Sequence, residues 1–194
     1  MASTQDHSPT TNEDQGAAGG TFRLVKIFPI CAISGDPGPK RREGDGQTPE
    51  GFYYVDRFNP ASKFHLALGI NYPNRSDRLL GDRPTLGGDI FIHGGFVTVG
   101  CIPMTDELIK EIYVIAVAAR AHGQERIPVH IFPRRLDATG LRVLEEAVGD
   151  NPPLVSFWRN LMVGYNFFET TRTLPVITVA GDGRYVFSPA GGDL

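Results

Sequence analysis

What most limits the fold of this chain is the order of its periodicities: strand-like runs fill the first half and helix-like runs the second. Residues 21–33 (TFRLVKIFPICAI), 51–58 (GFYYVDRF), 64–70, 90–93, 96–99 and 127–132 have the alternation or short apolar continuity of strands. Between them lie a Gly- and Pro-rich loop over 34–49, a turn at Asn59-Pro60-Ala61-Ser62 and a long loop over 71–89. One helix interrupts this half. Thr105 suits its N-cap, Asp106 and Glu107 suit the positive end of its dipole, Leu108, Ile112, Ile115 and Ala119 recur at helical spacing, and Gly123 closes it. A short helix is expected over 139–148. A longer one is capped by Asn151, starts at Pro152 and runs to about 171. The chain then ends in two strand-like runs around Gly181-Asp182-Gly183, a hairpin signal. The order implies an α+β fold with a mainly antiparallel or mixed sheet.

Residues 1–20 stand apart. They carry three acids, no Lys or Arg, and almost nothing large and apolar, the composition of a disordered tail, so the folded domain is expected to span 21–194. The basic start and apolar middle of a signal peptide are missing from this segment. Those three acids (Asp6, Glu13, Asp14) account for the whole formal net charge of −3, which leaves the rest neutral. Charge therefore favours neither nucleic acid nor a membrane surface as partner. No run approaches the roughly 18 apolar residues that a spanning helix needs. Two cysteines, Cys31 and Cys101, make no disulfide framework. With no C-x-x-C pair and no ligand spacing among the histidines, neither a metal nor another cofactor is expected.

The chemistry concentrates in HGGFVTVGCIPMTD, residues 93–106. A cysteine nucleophile needs a base near it and backbone N–H groups aimed at the developing oxyanion. His93 ends one strand, and Cys101 precedes a helix start. A reversal at Gly94-Gly95 would bring the two side by side, and the carbonyl of Gly94 or Gly95 could fix the imidazole tautomer. On spacing alone, such a pair is more often core and turn than catalytic, so the residues by themselves leave both readings open.

The string IHGG, then TVGC, then MTD resembles the YkuD-type L,D-transpeptidase domain, whose signature is H-G, a short connection and [S/T]-x-G-C. It is most similar to the YafK-like branch, in which the histidine lies close before the cysteine. FPICAISGDPGPK, EGDGQTPEGFYYVDRFNP, LALGINYPNRSDR, VHIFPRR and SFWRNLMVGYNFFETTRTLP follow the family's order, so the resemblance runs over about 21–187. It implies a mixed β-sheet sandwich or barrel, a long helix after the cysteine and further C-terminal helices. Cys101 would attack an amide carbonyl of a peptidoglycan stem peptide and form a thioester. His93 would be the base, Thr98 the family's Ser/Thr, and Gly94 and Gly100 the motif glycines. The amides of Gly100 and Cys101, with Val99, would face the oxyanion. The outcomes implied are transpeptidation to an amine, L,D-carboxypeptidase hydrolysis, or amidase release of a lipoprotein attached to the wall through diaminopimelate. All are periplasmic or cell-envelope roles in cell-wall biogenesis and cell shape. An unsignalled chain also fits an antibacterial effector exported by another route, and a non-catalytic wall-binding module is the contrasting class.

Three departures from the family pattern stand out. Pro103 replaces the Arg that many members carry two residues after the cysteine, and Arg134 or Arg135 is the expected substitute for binding substrate. The short His-to-Cys connection leaves less of a lid. The polar tail occupies the place of an apolar first strand, so that edge strand is expected to be truncated or missing. Elsewhere, Cys31 reads as a buried strand thiol, and KRRE (40–43) as a solvated loop. His130 reads as a core histidine, with cleft-lining substrate contact as the alternative. Trp158, Tyr165, Phe167 and Phe168 read as core.

Overall fold

The computed structural model of the chain describes residues 21–82 and 84–191, so the expected tail over 1–20 lies outside the described residues. The elements are β1 (Gly51–Ser62), β2 (His65–Ile70), α1 (Arg75–Leu80), β3 (Phe91–His93), β4 (Ile102–Pro103), α2 (Asp106–Ala121), β5 (Ile127–Ile131), α3 (Ala138–Val148), α4 (Pro152–Thr171), β6 (Val176–Val179) and β7 (Tyr185–Ser188). Five strands form a mixed sheet in the order β4-β3-β2-β1-β5, antiparallel except for the parallel β3–β4 pair. The β6–β7 hairpin is separate.

Strand alternation divides this sheet into two chemically different faces. Val55, Phe58, Leu68 and Ile92 point to α2, where they pack with Ile112, Tyr113 and Ala116. Phe52 points the other way, into the larger core built from Leu136, Leu144, Trp158, Leu161 and Tyr185 of the α3, α4 and hairpin region. That second cover reaches the β1–β5 end of the sheet. The β2–β3 end of the same face carries the cavity described below.

Capping follows the sequence closely. The side-chain oxygens of Thr105, Asp137 and Asn151 accept from the backbone N–H three residues on, each worth about 1 kcal/mol.

Several expectations are corrected. Residues 21–33 join no ladder. They lie extended over the surface, tethered by Phe22 N–H to the Arg172 carbonyl and Cys31 N–H to the Pro103 carbonyl, with Leu24, Val25 and Ile27 exposed. Cys31 is accordingly a half-buried thiol on this arm, not a buried strand residue. The 59–62 segment is strand, because β1 runs on to Ser62 with two irregularities; Pro60 is tolerated where β5 no longer pairs with β1. Within the expected 71–89 loop sits α1, started by a reciprocal capping box between Asn74 and Asp77. The 96–99 strand is absent; Phe96, Val97 and Val99 are exposed, and the ladder instead forms at β4. In α2 the buried residues are Ile109 and Ala116, while Ile115 faces solvent. Lys40 of the KRRE run is buried against Asp45 at 2.7 Å rather than solvated. Trp158 is core as expected, whereas Tyr165, Phe167 and Phe168 are only half-buried.

Candidate active site

Neighbouring strands place two rows of residues on the face away from α2. Arg57, Gly69 and Phe91 form one row, and Asn59, Ala67 and His93 the next. The glycine is required here. A Cβ at Gly69 would sit 2.8 Å from Arg57 Nε and 3.0 Å from the Phe91 ring, so its absence lets the Arg57 guanidinium lie 4.9 Å over that ring. β4 runs parallel to β3 with Ile92 opposite Ile102, which sets Cys101 beside Phe91. The return loop is therefore a parallel crossover over 94–101, not the tight reversal the sequence suggested. The rows, the β1–β2 turn and Cys101 enclose a cavity of about 290 Å³ lined by Asn59, Ser62, Lys63, Phe64, Ala67, Asp89, Phe91, His93 and Cys101.

His93 is buried. Its Nδ1 lies 2.6 Å from the Gly94 carbonyl oxygen. A carbonyl only accepts, so Nδ1 carries the proton and Nε2 is left with its lone pair. The Phe64 ring lies 4.8 Å from the imidazole. Behind it, Gly94 N–H donates to the Leu66 carbonyl, Met104 N–H to the His93 carbonyl, and Gly95 N–H to Asp106 Oδ1 at 2.9 Å. The acidic residue at the start of α2 thus ties down the turn that holds the tautomer.

Cys101 is half-buried, and both cysteines are free thiols. Phe91 N–H donates to its Sγ at 3.4 Å, while the thiol donates to the Asp89 carbonyl at 3.6 Å. Burial pushes the thiol above its ordinary value, against the opposing influence of the Phe91 N–H. The group is a neutral thiol at rest. Thr98 Oγ1 donates to the Cys101 carbonyl at 2.6 Å and closes the 98–101 turn. Gly100 has φ of 91°, and a Cβ there would lie 2.9 Å from the Gln47 carbonyl oxygen, so only glycine lets the 34–49 loop pack this closely.

The residues expected to contact substrate lie away from the cavity. His130 and Arg134 belong to β5 and the turn after it, at the opposite edge of the sheet from β4. His130 sits among Phe52, Phe132 and Phe168, and burial lowers its pKa to about 4. Arg134 is exposed there, and neither lines the cavity. The Gly100 N–H expected to face an oxyanion is already donating to Ser34 Oγ at 2.6 Å. Sequence reasoning missed Ser34, Lys63, Phe64, Asp89 and Asp106. Of these, only Asp106 had a signal, as a first-turn acid beside the motif.

A model of the L,D-transpeptidase catalytic domain, YkuD, matches residues 14–131. YafK of Escherichia coli K12 is 39% identical over 173 residues, 88% of this chain and 66% of that protein, and YafK of strain O157:H7 gives the same values. The chain thus spans just under two thirds of the length of these curated relatives. Among solved structures, the helical cell shape determining protein Pgp2 of Campylobacter jejuni is 19% identical with a TM-score of 0.39, over 76% of this chain and 62% of that one. Bd1075 of Bdellovibrio bacteriovorus is 17% identical with a TM-score of 0.38, over 80% and 68%.

Proposed function

This chain belongs to the L,D-transpeptidase catalytic-domain family, and from that premise we propose that it is a cysteine enzyme acting on peptidoglycan stem peptides in the cell envelope. The observation that carries the reading is the sharing of one cavity by Cys101 and a His93 whose Nδ1 is committed to the Gly94 carbonyl. Such a histidine has Nε2 available to take a proton.

The reaction then runs in two halves. Nε2 of His93 accepts the Cys101 proton as Sγ attacks the amide carbonyl carbon, and the oxygen becomes an oxyanion. Collapse breaks the C–N bond, His93 returns the proton to the leaving amine, and the acyl group remains on Sγ as a thioester. An amine or water then attacks, with His93 again taking the proton, and Cys101 is released. The Cys101 N–H is the donor proposed for the oxyanion. The Gly100 N–H joins it once the Ser34 hydroxyl turns aside. Phe91 N–H, already bonded to sulfur, stabilises the charge that develops on Sγ.

Incubation with defined muropeptides and mass analysis of the products tests this reading. Wild-type protein should yield either a transferred acyl product or a hydrolysed stem, and Cys101→Ala neither, with an unchanged melting curve. Unaltered muropeptides with the wild type would overturn it. The product identity separates transpeptidase, carboxypeptidase and lipoprotein-releasing amidase outcomes.

A further inference from the structure

The charges around the cavity are unequally engaged. Arg57 Nη1 pairs with Asp89 at 2.8 Å, and its Nε with Asp56 at 3.1 Å, so this cation is taken up by two carboxylates and the trio carries a net negative charge. Lys40 is buried and bonded to Asp45. Position 103 offers no donor, being a buried proline. Lys63 differs. It lines the cavity, is exposed, and has no ion-pair or hydrogen-bond partner among the described residues.

The hairpin turn fixes the backbone that carries it. Lys63 and Phe64 form the tip between β1 and β2, closed by the Ser62–His65 pair. His65 takes the left-handed conformation (φ 71°) that lets the chain reverse there, and Phe64 N–H donates to Ser62 Oγ at 3.1 Å. The tip abuts the catalytic turn. The Phe64 ring lies against His93, and the Phe64 carbonyl comes so near Gly94 that a Cβ there would sit 2.8 Å away. The backbone of Lys63 is thereby placed at the mouth of a cavity lined by Phe64, Ala67 and Phe91, with a solvent-exposed ammonium that no carboxylate among the described residues engages.

We propose that Lys63 is a specificity-determining residue whose ammonium binds a carboxylate carried by the acyl donor beside the scissile amide. The assignment rests on the reading of Cys101 as the acyl-transfer nucleophile. It makes the substrate class anionic at that point, with the free carboxylate taken in preference to its amide.

Two thiol reagents test it without a known substrate. Iodoacetate and iodoacetamide alkylate the same Sγ and differ by one negative charge. Their rate constants at Cys101 are measured at one pH, with Cys31 adducts separated by peptide mapping. The iodoacetate-to-iodoacetamide ratio should fall about fivefold in Lys63→Ala, as for loss of one exposed charge contact, and be retained in Lys63→Arg. In the wild type it should fall toward the Lys63→Ala value at about 1 M salt. The iodoacetamide rate alone should not change, which excludes a merely structural effect. Equal ratios in wild type and Lys63→Ala overturn the proposal. With muropeptides, Lys63→Ala should raise KM for the free-carboxylate donor and leave KM for the amidated donor and kcat for both unchanged. Absence of turnover by the wild type would count against the stem-peptide reading alone, since the alkylation ratio still decides the role of Lys63.

Discussion

In the proposed mechanism Cys101 and His93 divide the chemistry according to their surroundings. Burial of Sγ, with the negative charge of Asp89 adding to it, holds its pKa above the ordinary 9.0. A raised pKa keeps the thiol protonated at neutral pH, so in the mechanism proposed above His93 takes the proton at the moment of attack rather than serving as the partner of a standing ion pair. Alkylation of Cys101 by iodoacetamide should therefore climb with pH through a single inflection above pH 9. Replacing His93 by Ala should leave that profile in place while lowering kcat by about 10² to 10⁴. An inflection below pH 7 would instead indicate a preformed thiolate–imidazolium pair.

At the scale of elements, the site is the meeting of three pieces: the β3–β4 crossover, the β1–β2 hairpin tip and the 34–49 loop. The third is organised by Asp45, whose carboxylate accepts from the backbone N–H groups of Arg41, Arg42 and Gln47 and pairs with Lys40. It delivers Ser34 to the Gly100 N–H. Ser34→Ala should free that amide and raise kcat a few-fold with KM little changed, as measured on a defined muropeptide. A large fall in kcat would show that the hydroxyl assists the reaction instead. What the sequence made legible here was uneven. The N-caps at Thr105 and Asn151 and the Pro152 start were readable because they are local. Strand status for 21–33 and 96–99 was misread because apolar alternation describes an extended arm and an exposed loop as well as it describes a strand. α1 was missed because six residues give too little periodicity, although Asn74 and Asp77 hold its capping signature. The hairpin tip was invisible as part of the site, since only the β1–β2–β3 register carries Lys63 and Phe64 to His93.

Across the molecule, buried ionisable groups couple the loop that faces Gly100 to the distal core. Glu50 accepts from Gly38 N–H at 2.7 Å and from the Trp158 indole at 2.8 Å, and burial raises its pKa from 4.5 to about 7. The folded state therefore holds this proton more tightly than the unfolded chain, and stability from this group is lost as pH rises from about 4.5 through 7, by up to about 3 kcal/mol. Asp77, raised to about 6 by burial, acts in the same sense. His130, lowered to about 4, acts in the opposite one: its contribution is present above 6.5 and lost as pH falls through 4. The clean test is a difference. Unfolding free energies of wild type and Glu50→Gln should diverge between pH 5 and pH 8, the variant gaining relative stability at the higher pH; a constant difference would refute the assignment. The family signature was legible because its residues are contiguous, and α+β order was legible from periodicity. The cation facing the cavity was not, because His130 and Arg134 look suitable in sequence yet fold to the far edge of the sheet.

The central claim, acyl transfer through Cys101, is most directly tested by intact-protein mass spectrometry during turnover of a stem peptide. The account predicts an added mass equal to the acyl donor, mapped to Cys101, labile to hydroxylamine and absent from Cys101→Ala. Turnover by Cys101→Ala at the wild-type rate would contradict it.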